Sequence, residues 1–167
     1  LFPIRKKVAQ QNLKIVFPKK QDIEINKIIL KSYMHYGLLM FEFIRQASHS
    51  IKQSYYNIDN NTKDILQSND GFILMTAHLG NWEMILPIIS KYKKMLVVVR
   101  EQKNNGSDKF FSNARKFKNI TLISKKGSKR LMIEALKNNH VLGLASDQNA
   151  KENGTFINFF GKPASIP

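Results

Sequence analysis

The chain has 167 residues, and its 27 Lys and Arg outweigh 12 Asp and Glu to give a formal net charge of +15. That length is enough for one domain with its own hydrophobic core. The basic excess reads either as a patch for an anionic partner, whether nucleic acid, anionic lipid or an acidic protein, or as a solvated basic surface, and the absence of Cys excludes disulfides, thiolate catalysis and Cys-based zinc sites.

In chain order, Arg5 to Val16 alternates basic and apolar residues at helical spacing and stops at Phe17-Pro18. Such a helix either packs on the domain or lies on an anionic membrane face. Asp22 to Ser48 is the longest helical stretch, with Gly37 placed to divide it into two helices. His35 and His49 have no carboxylate at useful spacing and read as structural or exposed. Asn57 to Asn69 is polar and reads as a loop with a short helix at Lys63 to Gln67. From Gly71 the pattern changes to strands alternating with helices, the mark of a largely parallel sheet. The strands are Gly71 to Thr76, Met95 to Val99, Thr121 to Ile123 and Val141 to Ala145. Helices fall at about Ser107 to Lys118 and Gly127 to Asn138, and a last strand, Phe156 to Phe160, precedes a Gly161-Lys162-Pro163 turn. The expected fold is α/β, a mostly parallel central sheet flanked by helices. Residues 1–70 form a helical part and residues 71–167 an α/β catalytic part of one domain. No apolar run approaches the roughly 18 residues that span a bilayer.

The segment Ala77-His78-Leu79-Gly80-Asn81-Trp82-Glu83 sits between the first strand and an apolar helix. Asn81 is the expected N-cap, with Glu83 in the first turn, where the helix dipole favours a carboxylate. Pro87 should kink that helix. His78 falls at the strand's carboxyl end, where open α/β sheets place their ligands. With His78 in the turn and Gly80 bending the backbone, the two side chains can converge. A carboxylate on one ring nitrogen fixes the tautomer and makes His78 a general base for a hydroxyl. Arg100 and Asp147 occupy the ends of two other strands, so three polar side chains share one rim. Arg100 and the backbone N–H groups near Gly80 and Asn81 are candidate oxyanion donors, with Gln148 after them. Arg100 alternatively grips a phosphate or pairs with Asp147 or Glu101. Asp147 holds Arg100 or orients the acceptor. Arg115, Lys125, Lys126 and Lys162 are weaker candidates for anionic groups, each alone reading more readily as surface charge.

His78 to Glu83 resembles the His-x4-Asp/Glu motif of glycerolipid-type acyltransferases, and with Asn-Trp-Glu it is similar to the lipid A late acyltransferase branch. Further segments fall in that family's order: Asn12 with Phe17-Pro18, Arg100, Arg115, Asp147-Gln148, Gly154, and Phe159-Phe160-Gly161-Lys162-Pro163-Ala164. The resemblance implies a glycerolipid acyltransferase-like fold. It also implies transfer of a fatty acyl group from acyl carrier protein thioester to a hydroxyl of an anionic, phosphorylated lipid A precursor. His78 is then the general base and Glu83 its support, with no metal and no organic cofactor. The implied location is the cytoplasmic face of a Gram-negative inner membrane, at the membrane surface and without a nucleic-acid partner. Relatives carry an N-terminal anchor and extend further, so Leu1-Phe2-Pro3 and Ile166-Pro167 read as the limits of an internal fragment. Glu101 stands where relatives have Pro, and Asn149 where an acidic residue is common. A glycerophospholipid acyltransferase of the lysophosphatidate type is the nearest rival. A hydrolase lacks a Gly-x-Ser-x-Gly elbow here, and a non-enzymatic basic binding module rests on charge alone.

Overall fold

A computed structural model of the chain describes residues 5–48 and 56–167; Leu1-Phe2-Pro3 and His49 lie outside them. Two N-terminal helices, α1 (Lys6–Val16) and α2 (Asp22–Ser48), pack side by side. Lys14 pairs with Asp22 at 2.7 Å, and Gln10 donates to Asn26 across the same seam at 3.0 Å. Glu24 starts α2 by accepting the backbone N–H of Gln21, satisfying one of the donors a helix leaves open at its start. Contrary to the expected break, α2 runs unbroken through Gly37. One interior Gly costs only about 1 kcal/mol of helix propensity, which flanking Ile25, Ile29, Leu39 and Phe43 offset by burial. The next helix, α3 (Asn60–Gln67), starts earlier than its apolar pattern indicated because the Asp59 carboxylate accepts from both the N–H and the hydroxyl of Thr62.

The strands β1 (Phe72–Thr76), β2 (Met95–Val99), β3 (Ile120–Ser124) and β4 (Val141–Ala145) form one all-parallel sheet in the order β1-β4-β2-β3. The last of these four strands in sequence is therefore inserted between the first two. Alternation along the strands divides the core. Met95 and Val141 face α3 and the short α4 (Ile85–Ile89), with Leu66, Leu86 and Ile89. Leu96 and Leu142 face the other way, onto Ala135 of α6 (Lys129–Lys137). Gly143 in β4 leaves room for the Met95 methyl, which a Cβ there would meet at 2.2 Å. Between β2 and β3 lies α5 (Asn105–Ala114), shorter at its end than expected and closing at Arg115.

Pro87 does not interrupt α4. It is the third residue of α4, within the first turn, where a missing N–H removes no intrahelical bond. The stretch after Gly161 is a strand rather than a plain turn: β5 (Thr155–Phe159) and β6 (Lys162–Ile166) form an antiparallel hairpin. Phe160 and Gly161 both have positive φ at its tip, as a tight two-residue turn requires. Pro163 fits because both strands of a two-stranded ribbon are edges. No described helix is long and apolar enough to cross a membrane.

Candidate active site

The parallel pairing of β1 with β4 runs from Phe72 opposite Val141 to Thr76 opposite Ala145. His78 and Asp147 each lie two residues beyond those paired ends, and that shared offset brings them together. His78 Nδ1 donates to Asp147 Oδ1 at 2.8 Å, and the His78 backbone N–H donates to Asp147 Oδ2, also at 2.8 Å. One carboxylate thus holds both the main chain and the ring of the same residue. With Nδ1 protonated, Nε2 keeps its lone pair. Burial pushes the Asp147 carboxyl up, but the hydrogen bonds from the His78 ring and backbone outweigh it and leave its pKa below the ordinary value. The site opens to solvent, the two side chains being 30% and 35% exposed.

Glu83 does not pair with His78. Gly80 takes a left-handed turn (φ 58°) and the chain enters a 3₁₀ turn, Trp82–Met84, instead of an α-helix. The 3₁₀ turn carries Glu83 toward α5, where Arg115 grips it: Nε donates to Oε2 at 3.0 Å and Nη2 to Oε1. The guanidinium also lies 5.8 Å from the Phe43 ring and 5.5 Å from that of Phe111. A bidentate pair between partly buried groups occupies the Nε and Nη2 donors of Arg115 and ties α5 to the turn that carries Glu83. Asn81 also departs from expectation, since its side chain makes no cap. It donates to Glu42 Oε2 on α2 at 2.6 Å.

Arg100 stands exposed one residue past β2, and no ion pair to Asp147 or Glu101 forms among the described residues. Gln148 is exposed beside Asp147, and Lys125, Lys126 and Lys162 are surface residues. A model of the bacterial lipid A biosynthesis acyltransferase family matches residues 3–167. The chain belongs to that family. It is also 24% identical over 102 residues to the phosphatidylinositol mannoside acyltransferase of Mycobacterium tuberculosis, in both strain CDC 1551 / Oshkosh and strain ATCC 25618 / H37Rv. Each match covers 58% of this chain and 32% of the relative, so the chain spans about a third of those relatives' length.

Sequence reasoning missed three features of this family member: the His78–Asp147 bond, the Glu83–Arg115 clamp and Glu42. The signal for the first was present in the equal offsets of His78 and Asp147 from their strands, but it becomes readable only once β4 is known to lie beside β1. Trp82 completes the surroundings of the imidazole, its ring 4.9 Å from that of His78 in an edge-to-face arrangement. A separate cleft of about 370 Å³ lies at the opposite, amino-terminal end of the strands, beside Tyr92, Lys93, Lys94 and His140. There Lys93 donates to the carbonyls of Ser68 and Asp70, at 2.6 Å each. Among the described residues no three His, Asp or Glu side chains gather as a metal site.

Proposed function

We propose that this chain carries the catalytic part of an acyltransferase that moves a fatty acyl group from acyl carrier protein thioester to a hydroxyl of a lipid A precursor. The His78–Asp147 hydrogen bond at the open carboxyl rim of the sheet is the observation that carries the reading, and family membership supplies the reaction class. His78 Nε2 takes the proton as the acceptor hydroxyl attacks the thioester carbonyl. The C–O bond forms, the tetrahedral intermediate collapses with loss of the C–S bond, and the imidazolium returns its proton to the departing thiolate. Asp147, ionised and hydrogen-bonded to Nδ1, stabilises the transient positive ring. The support first assigned to Glu83 therefore passes to Asp147, and Glu83 acts through Arg115 to anchor the turn. Arg100 and the backbone N–H groups of Gly80 and Asn81 are the candidate donors to the oxyanion.

The net charge of +15 favours a donor and an acceptor that are both anionic. A membrane-surface location is consistent with α2, which leaves Leu30, Met34, Leu38 and Phe41 exposed along one helical face. The full-length protein, given lauroyl-acyl carrier protein and a tetra-acylated lipid A precursor, should yield the precursor with one further acyl chain by mass spectrometry. Lysophosphatidate and a mannosylated phosphatidylinositol, the latter suggested by the mycobacterial relative's name, serve as competing acceptors. Preferred acylation of either one reassigns the acceptor. His78→Ala should lower transfer by at least about a hundredfold, and undiminished transfer in that variant rejects His78 as the base.

A further inference from the structure

We propose that Glu42, in the carboxyl-terminal third of α2, is a positioning residue for His78, holding the loop that carries the imidazole through its hydrogen bond to Asn81. The proposal rests on the reading of His78 as general base.

The loop between β1 and the 3₁₀ turn has little to hold it from within. Its internal hydrogen bond runs from the Leu79 N–H to the Ala77 carbonyl at 2.8 Å. Leu79 is 84% exposed and packs little, and Gly80, in the left-handed region, adds a residue of high intrinsic freedom. The loop is therefore shaped from outside. At its start Asp147 binds His78. At its end the partly buried Glu42 carboxylate accepts from Asn81 Nδ2 at 2.6 Å, a short bond with charge on the acceptor. The carboxylate also fixes the orientation of the amide, because the flipped form would set oxygen against oxygen. Asn81 Oδ1 is buried without a hydrogen-bond partner, an arrangement that maximal stability would not select.

A second contact from the same helix reaches the start of the 3₁₀ turn that follows the loop. Tyr36 lies 6.1 Å from Trp82, ring to ring, and Trp82 lies 4.9 Å from His78, both edge-on. The geometry divides the work. Asp147 sets the distance of the imidazole edge, but one Nδ1–H···O bond leaves the ring free to rotate about its own axis. Trp82 limits that rotation, and Trp82 follows directly on the residue Glu42 holds. A displacement of about 1 Å at the base is enough to cost up to about a hundredfold in rate. Two side chains of α2 thus bear on the catalytic loop, which gives the helical N-terminal part a role in the chemistry itself.

The test uses the purified full-length protein with acyl carrier protein thioester and its acceptor, reading kcat, KM and the downfield Nδ1–H proton resonance of His78. Glu42→Ala should lower kcat about ten- to a hundredfold with both KM values nearly unchanged, and should broaden the Nδ1–H signal. Glu42→Gln offers a carbonyl to the same Asn81 donor and should restore kcat and the signal. Asn81→Ala, which leaves α2 intact and serves should Glu42→Ala fail to fold, should reproduce the kcat loss. Combining the two should add little to either. A wild-type kcat in Glu42→Ala overturns the proposal. So does a raised KM at constant kcat, which makes Glu42 a substrate contact, or a Glu42→Gln as impaired as Ala. If His78→Ala retains transfer, the general-base reading fails and the positioning role falls with it. If His78→Ala is inactive and Glu42→Ala is not, the positioning role alone fails.

Discussion

At the scale of single residues, the carboxylate of Asp147 has a task that no amide can perform. Its two oxygens accept two different N–H groups of one residue, the backbone and the ring of His78. In Asp147→Asn one of those oxygens becomes an NH2 donor. If the remaining oxygen keeps the backbone N–H, the new donor faces Nδ1 and drives the ring proton onto Nε2, removing the basic lone pair. We expect kcat to fall by about 10²- to 10⁴-fold, with the ring's ¹⁵N shifts reporting the change of tautomer. Glu83 calls for the opposite experiment. Glu83→Ala leaves the partly buried Arg115 guanidinium without its acceptor, at a cost of about 1.5–3 kcal/mol in folding free energy. Replacing both partners by apolar residues of similar size, as in Glu83→Leu with Arg115→Met, should cost less than Glu83→Ala alone. Thermal melting of the three proteins checks the order.

At the scale of elements, what was legible follows from what periodicity carries. The spans of α2, β2 and β4 read correctly because each is a strong run of one period, and tertiary packing agreed with it. Neighbourhood was not legible. Nothing in Val141 to Ala145 says that this strand inserts between β1 and β2, so His78 was matched with Glu83, five residues away, rather than with Asp147, which is 69 away. The Lys162 to Ile166 strand was hidden by Pro163, a residue excluded from a sheet interior but tolerated in a ribbon with two edges. Gly37 was over-weighted as a break because its local cost was counted without the buried residues on either side. A measurable consequence follows for α2. A Cβ at Gly37 would touch nothing within 4 Å, and the residue is interior to a continuous helix. Gly37→Ala should therefore stabilise the protein by about 0.5–1 kcal/mol, seen as a raised melting temperature with transfer activity unchanged.

At the scale of the whole molecule, the two ends of the sheet respond to acid through different groups. At the amino-terminal end, burial first and then the charges of Lys94 and Lys93 hold the His140 pKa below its ordinary 6.5, so the folded protein prefers the neutral ring. As pH falls below 6.5 the unfolded chain takes up a proton that the folded chain resists. Stability is lost from there down to the depressed folded value. At the carboxyl end, Asp147 is held below its ordinary 3.8 despite its burial, by the bonds from His78. That contribution is present above 3.8 and disappears only as pH drops through the lower folded value. Glu24 and Asp59, lowered by hydrogen bonds from Gln21 and Thr62 respectively, belong to the same late phase. The acid limb should therefore have two parts, beginning with His140 just below pH 6.5 and reaching the carboxylates only below about pH 4.5. His140→Gln cannot take the proton and should flatten the first part alone, leaving the second in place. Melting temperatures of the wild type and the variant between pH 7.5 and 3, taken at constant ionic strength, test this. An unchanged slope between pH 6.5 and 5 in His140→Gln would assign the early loss instead to the rising positive charge of a chain that already carries +15.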